Sequence, residues 1–237
     1  MNKNTSHKTA VVTGGTSGIG LTLAQGLSNA GYDVIAAGLN PPQSDDEKIT
    51  FIELDITDKG AVKSLFSDLN QLDILINAAG IIRREAELDP DVFEETINVN
   101  LNGTMRACAA ARSLLSQSSG SIVNIASMLS YFGGGLVPGY AASKGGIMQL
   151  TKSLAIAYAG DNIRVNALAP GWIKTPLTEN LQNDDKRSEA ILSRTPLGRW
   201  GTPEDLVGPA LFLIGSDAKF ITGSLLNVDG GNAAIIP

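Results

Sequence analysis

Tyr140 and Lys144 stand four residues apart in the stretch Gly139-Tyr140-Ala141-Ala142-Ser143-Lys144-Gly145-Gly146-Ile147-Met148, with only small residues between them. On a helix that spacing puts a phenol and an ammonium on one face. A free phenol holds its proton to about pH 10, and bringing that near 7 takes roughly 4 kcal/mol of differential stabilisation. One ammonium about 4 Å away, at an effective dielectric near 20, supplies roughly that amount. Such a pair can give a proton to a forming alkoxide or take one from an alcohol near neutral pH. The same two residues also describe an ordinary surface pair on a helix, so their company has to decide.

A second cluster with chemical potential is Thr13-Gly14-Gly15-Thr16-Ser17-Gly18-Ile19-Gly20. Glycines in a turn between a strand and a helix let the pyrophosphate of a nucleotide approach backbone N–H groups at the helix N-terminus. The spacing is G-x3-G-x-G, and a purely structural turn is the alternative.

The elements around these clusters follow from periodicity. Thr9 to Thr13 is a short β-branched run, and Ile19, Leu23, Leu27 and Ala30 mark one helix face after the turn. Further strands are expected at Val34–Ala37, Ile49–Leu54, Asp73–Asn77, Ser121–Ala126, Ile163–Ala169 and Ser224–Val228. Helices are expected at Lys59–Leu69, from Asp91 to about Gln117, from Gly139 to about Ala159, and at Glu204–Ile214, the last capped by Thr202 with Pro203 in first position. Asn40-Pro41-Pro42-Gln43-Ser44-Asp45-Asp46 reads as a loop. Strands that alternate with helices and are nearly all apolar imply an α/β fold, a doubly wound seven-stranded parallel sheet of Rossmann type covered on both faces. Pro170 to Gly201 breaks the rhythm and is too long for an idle connection, so a partly helical substrate lid is expected over about 172–201. No linker or repeat interrupts the chain, and residues 1–237 read as a single domain.

Composition excludes whole classes of function. The net charge of −6 argues against a nucleic-acid face. The single histidine, His7, lies in a polar leader, which leaves no material for a histidine triad or a multi-histidine metal site, and no metal is expected. The single cysteine, Cys108, reads as a small core residue in a reducing compartment. No apolar run is long enough to span a bilayer, and the first residues have no apolar stretch behind them, so no membrane contact and a cytoplasmic location are expected.

Taken together, Thr13 to Gly20, Asn77-Ala78-Ala79-Gly80, Asn100, Ser127, Tyr140-x3-Lys144 and Pro170-Gly171 resemble, in order and over essentially the whole chain, the short-chain dehydrogenase/reductase family. The resemblance implies that Tyr140 is the catalytic acid/base, Lys144 its activator and ribose anchor, Ser127 the polariser of a substrate carbonyl, and Asn100 the holder of a proton-relay water. Ser127 also lies just past its strand, at the carboxyl edge where open α/β sheets bind ligands. The cofactor residues implied are Gly14, Thr16, Ser17, Gly18, Ile19, Gly20, Leu39, Asp55, Ile56, Asn77, Ala78, Gly80, Tyr140, Lys144, Pro170, Gly171, Ile173 and Thr175. Asp55 would contact the adenine, or else cap a helix, and Asn77 would also tie loop backbones.

Eighteen residues beyond Gly20, where an acid would hold a ribose 2′-hydroxyl, stands Gly38, and Leu39 follows where an arginine would welcome a 2′-phosphate. Neither discriminating charge is present. No Lys or Arg occurs between Lys8 and Lys48, which points to NAD, with NADP not excluded. Gly38 to Asp55 is too short for a joining helix, leaving an open adenine pocket.

The blocks Gly80 to Glu85, Ile125 to Ser130, Val137 to Tyr140 and Gly198 to Gly201 resemble the sugar-acid branch of the family. That resemblance implies hydride transfer at a secondary alcohol or ketone carbon of a deoxy sugar acid, such as 2-deoxy-D-gluconate or 2-dehydro-3-deoxy-D-gluconate. An anionic substrate needs a fixed cation, and Arg84 or Arg199 offers the planar fork, unless salt bridges to Glu85, Glu87 or Asp205 engage them. Met128, Trp172 and Trp200 are expected to line the pocket or to pack core and lid. Alternatives are reduction of another carbonyl class, a 3-oxoacyl thioester or the 5-keto group of a gluconate, and a non-catalytic nucleotide sensor. The sensor would have lost catalytic residues that are all present here. The resemblance also implies a homotetramer built through the two long helices, with a second interface near the last strand; this chain's own ending, Gly231 to Pro237, is an apolar tail expected to be buried against a partner.

Overall fold

The computed structural model describes residues 8–43 and 48–234. His7 and the polar leader, Ser44-Asp45-Asp46 of the expected loop, and Ile235-Ile236-Pro237 of the tail lie outside the described residues.

The described residues form seven strands: β1 (Thr9–Thr13), β2 (Asp33–Gly38), β3 (Ile49–Glu53), β4 (Ile74–Asn77), β5 (Ser121–Ile125), β6 (Arg164–Pro170) and β7 (Leu225–Val228). They form one parallel sheet in the order β3-β2-β1-β4-β5-β6-β7. Connections run outward in opposite directions from β1 and β4, so a crevice opens at their carboxyl ends, where such sheets take ligands. The register brings Thr13 opposite Asn77, and Asn77 opposite Asn124, along that edge.

Helices cover both faces. α1 (Gly18–Asn29) and α8 (Val207–Ile214), with the turn that leads into α8, bury Leu23, Leu27, Leu206 and Leu213 against Val12, Val34 and Ile76. On the other face, α2 (Lys59–Ser67), α4 (Gly103–Ser118) and α5 (Pro138–Tyr158) pack Val62, Leu115 and Leu154 against Val11, Leu75 and Ile122. Strands walled in on both sides must be apolar throughout, which is why they read as continuous runs. Arg164 fixes the end of α8: its Nη1 donates to the Leu213 carbonyl at 2.6 Å and its Nη2 to that of Ile214 at 3.0 Å, satisfying carbonyls a helix end leaves open.

Two expected helices are not simple. The helix expected from Asp91 to Gln117 is α3 (Pro90–Ile97), then a π-helical turn at Asn98–Asn102, then α4. A π turn is invisible to a 3.6-residue pattern and is found mostly at functional sites. The last helix begins as a 3-10 turn at Pro203–Leu206, with Thr202 and Asp205 forming a reciprocal capping box. As expected, no helix among the described residues joins β2 to β3.

After β6 comes the segment expected to form a lid. A parallel bridge between Ile173 and Gly201 closes its base. Within it lie α6 (Glu179–Gln182) and α7 (Asp185–Leu192), and Leu181, Ile191 and Trp200 pack with Trp172 into a small core of their own. Trp172 and Trp200 meet edge to face with centroids 6.0 Å apart.

Candidate active site

α5 carries Tyr140 at its third residue and Lys144 one turn later, so the two lie on the same face. Lys144 is buried, and its ammonium donates to the Ile125 carbonyl at the end of β5 at 2.6 Å. From there Nζ lies 5.5 Å from the centroid of the Tyr140 ring. Burial pushes the Lys144 pKa down to about 8. Ser127, just past β5, lies beside the Tyr140 hydroxyl and draws its pKa down. Its Oγ also accepts from the Leu129 N–H at 3.2 Å, so it caps the 3-10 turn Met128–Ser130 at the same time.

Asn100, in the π turn, is buried. Its Oδ1 accepts from the Ile81 N–H at 2.8 Å, and its Nδ2 donates to the Ile81 carbonyl at 3.0 Å and to Ser143 Oγ at 3.0 Å. Asn100 thus ties the segment after β4 to α5. A β-carbon on Gly80 would come within 3.3 Å of Asn100 Oδ1 and 3.8 Å of Lys144 Nζ, which brings all three to one place.

One expectation needs correction. The ammonium was expected to draw the phenol toward neutral pH, but burial pushes the Tyr140 pKa above its ordinary value, Ser127 pulls it down, and the Glu87 charge pushes it up.

The glycine turn is built by close approach. Gly14 has φ of 68°, and a β-carbon there would lie 2.5 Å from the Ala79 N. A β-carbon on Gly20 would overlap the Gly14 carbonyl oxygen. α1 begins at Gly18 without a side-chain cap from Ser17, so N–H groups of its first turn, Ile19 and Gly20 among them, are open donors for an anion. The lid base faces this turn, with Thr175 3.8 Å from where a Gly18 β-carbon would stand. This donor set suits the pyrophosphate of a dinucleotide.

Other expected cofactor residues are placed as follows. Thr16 donates to the Leu39 carbonyl at 2.8 Å, and Leu39 is exposed at the edge of β2. Asp55 is exposed, its carboxylate held by the Thr57 N–H and hydroxyl at 2.8 Å each, which lowers its pKa. It is not the cap of α2; Asp58 is. Ile56 turns into the core against Gly103, so only its backbone faces the crevice edge. The Asn77 side chain is spent inside, accepting from Thr13 Oγ1 at 3.2 Å and donating to Asn124 Oδ1 at 2.9 Å, and Ala78 donates its N–H to the Thr13 carbonyl. Pro170 ends β6, Gly171 lies too close to Asp229 to carry a side chain, and Ile173 is buried at the lid base.

The expected substrate residues separate. Arg84 is exposed and has no hydrogen-bond or ion-pair partner among the described residues. Arg199 is engaged, its two terminal nitrogens 2.7 and 2.9 Å from the Asp205 carboxylate. Met128 is buried with Ala126, Ile147 and Ala169, so it packs core. Trp172 and Arg199, the latter with its partner Asp205, line one cavity of about 440 Å³ beside the end of β7, together with Pro196, Asn227 and Asp229.

Sequence reasoning missed several partners. Glu87 appeared only as a salt-bridge partner, yet it is buried and bonded to backbone. Asn124 donates to Thr151 Oγ1 at 3.0 Å, and Ser130 donates to the Lys144 carbonyl at 2.6 Å. A polar residue in an apolar strand, as Asn124 is, was the available signal.

Comparison with known proteins agrees with this geometry. The family model described as enoyl-(acyl carrier protein) reductase matches residues 14–233. The 2-dehydro-3-deoxy-D-gluconate 5-dehydrogenase of Bacillus subtilis is 41% identical over 94% of both chains. The 3-oxoacyl-(acyl-carrier-protein) reductase of Thermotoga maritima is 35% identical over 94% of this chain and 96% of its own. A crystal structure from Agrobacterium tumefaciens, proposed to be a 2-deoxy-D-gluconate 3-dehydrogenase and holding NADP, superposes with a TM-score of 0.87 at 41% identity, covering 96% of this chain and 97% of that one. A gluconate 5-dehydrogenase from Burkholderia cenocepacia in complex with NADP and tartrate gives 0.88 at 32% identity, covering 97% and 96%. With matches of this extent joined to a glycine turn, a Tyr-x3-Lys helix and a serine at the end of β5, the chain belongs to the short-chain dehydrogenase/reductase family, nicotinamide-dependent oxidoreductases of CH–OH groups.

Proposed function

We propose that this protein transfers a hydride between a nicotinamide cofactor and a secondary alcohol or ketone carbon of a deoxy sugar acid, of the kind represented by 2-dehydro-3-deoxy-D-gluconate. The observation that carries the reading is the meeting of Ser127, Tyr140 and Lys144 beside the glycine turn. The bound nicotinamide supplies the hydride acceptor or donor. Tyr140 passes the proton to or from the substrate oxygen, and Ser127 gives that oxygen a second hydrogen bond. Lys144, fixed by Ile125, places positive charge behind the phenol and faces the ribose. Asn100 holds the segment at Ile81 and orders a relay water. The glycine turn and the start of α1, with Leu39, Asp55, Ile56 and the lid base from Pro170 to Thr175, hold the dinucleotide.

Arg84 is the cation for the substrate carboxylate, since its guanidinium is free while that of Arg199 is taken. We read residues 1–237 as one domain, with the lid at about 172–201 closing over the substrate. A homotetramer is the proposed assembly: Met105 on α4 and Ile156 on α5 are exposed, as is Phe220 near β7, where second copies would cover them. A reducing, cytoplasmic setting suits the free buried Cys108.

For the cofactor form, the solved relatives holding NADP weigh against the preference for NAD expected from sequence. We propose that both forms bind, because neither an acid nor a cation occupies Gly38 and Leu39. The second reading of the substrate, a 3-oxoacyl thioester, finds its support in the Thermotoga relative at lower identity.

The test follows nicotinamide absorbance with keto sugar acids and with a short 3-oxoacyl thioester. Turnover of the sugar acid, abolished in Tyr140→Phe with cofactor affinity close to wild type, is the expected result. Turnover of the thioester alone, or an active Tyr140→Phe enzyme, refutes it.

A further inference from the structure

Glu87 is 1% exposed, in a short turn between β4 and α3, and takes no part in the chemistry proposed above. Acids are almost never buried so completely unless paired, yet no lysine or arginine pairs with it among the described residues. Its partners are backbone. Oε1 accepts from the Arg83 N–H at 2.7 Å, and Oε2 accepts from the N–H of Tyr140 itself at 2.7 Å. The second bond falls in the first turn of α5, which begins at Pro138 and has no side-chain cap from Val137. A carboxylate there meets both the open N–H groups and the positive end of the helix dipole.

The surroundings are shaped to this contact. A β-carbon on Gly139 would come within 3.3 Å of Glu87 Oε2 and of the Phe93 Cα. Glu85 takes φ of 69°, uncommon for a residue with a side chain, and its N–H donates to the Leu136 carbonyl at 2.7 Å. The turn that carries Arg83 and Arg84 is thereby stitched to the segment that leads into α5.

We propose that Glu87 is a positioning residue that clamps the arginine-bearing turn and the first turn of the catalytic helix to one buried carboxylate, so that the substrate's cation and the proton donor are held in fixed relation. The clamp rests on the reading of Tyr140 and Arg84 given above and extends it. It also places a negative charge near the phenol, which opposes phenolate formation and keeps Tyr140 a donor. The other charged side chains on the elements packed here are Lys144 and, two turns further along, Lys152 on α5, Arg83, Arg84 and Glu85 on the turn, and Asp91, Glu94 and Glu95 on α3, with Arg83 turned to Glu95 at 3.5 Å.

Two variants test this in the full-length enzyme. Glu87→Gln keeps the shape but loses the charge and one acceptor. Its pH profile of kcat should have the limb belonging to Tyr140 displaced to lower pH, with KM for the sugar acid raised about threefold or more. Glu87→Asp keeps the charge and shortens the reach, so the limb should stay at the wild-type pH while KM rises. A limb unmoved in Glu87→Gln, or KM unchanged in both variants, overturns the proposal. Should Glu87→Gln fail to fold, Glu87→Asp alone decides, since a wild-type KM there removes the clamp. An active Tyr140→Phe enzyme would defeat the parent reading instead, whatever the Glu87 variants do.

Discussion

Lys144→Met should make the cofactor-free protein more stable while removing its activity. In the folded chain the ammonium is buried, with one hydrogen bond to Ile125, and its pKa falls from 10.5 to about 8. That fall of roughly 2.5 units, at 1.36 kcal/mol each, means that keeping Lys144 charged at pH 7 costs the fold about 3 kcal/mol. Methionine fills similar volume without the charge but leaves the Ile125 carbonyl without its donor, which costs about 1–2 kcal/mol. The net gain of roughly 1–2 kcal/mol corresponds to a melting temperature higher by a few degrees for a chain of this size.

The sign can be checked through pH. A lysine whose pKa is lower when folded leaves the unfolded chain binding more protons between about pH 8 and 10.5, so wild-type stability gains over that window relative to the variant. The advantage of Lys144→Met should be full at pH 7 and shrink as pH rises toward 10.5. Paired thermal melts at several pH values measure it, because alkaline effects common to both proteins cancel in the difference. A variant less stable at pH 7, by an amount independent of pH, would refute the burial cost assigned to this ammonium.

Other perturbations have defined outcomes. Gly20→Ala puts a β-carbon into the Gly14 carbonyl, so nucleotide binding by calorimetry should weaken by about 100-fold or more, about 3 kcal/mol, with a lower melting temperature. Arg84→Ala should raise KM for a sugar acid at least about tenfold while leaving the Kd of the dinucleotide unchanged; an unchanged KM removes Arg84 from the substrate site. NADH and NADPH should bind with Kd values within about tenfold of each other, because Thr16 lies 2.7 Å from where a Gly38 β-carbon would stand and that strand end carries no charge to discriminate them. A larger ratio would show that charge from elsewhere reads the 2′ position.

Much of the fold was legible because its signals are local. Apolar runs such as Ile74–Asn77 and Ser121–Ile125 announce strands shielded on both faces, and the pattern Ile19, Leu23, Leu27 announces a helix. The π turn at Asn98–Asn102 left no such trace, and the bonds made from it reach far along the chain, from Asn100 to Ile81 and to Ser143. The same split runs through the site. Tyr140 and Lys144 were found by a spacing of one helical turn, and the glycine turn by residues that must do without side chains.

Which groups surround the pair was decided only by tertiary structure. Sequence alone determined that a phenol and an ammonium share a helix face and that a glycine turn opens a doubly wound sheet, because each depends on residue type and short-range geometry. The tertiary structure decided that Lys144 reaches the Ile125 carbonyl, that Arg199 is spent on Asp205 while Arg84 stays free, that Met128 is core, and that Glu87, 53 residues before Tyr140, grips the catalytic helix. Those are contacts between residues far apart in the chain, and burial, joined by the Glu87 charge, pushes the phenol up where the ammonium by itself would have drawn it down.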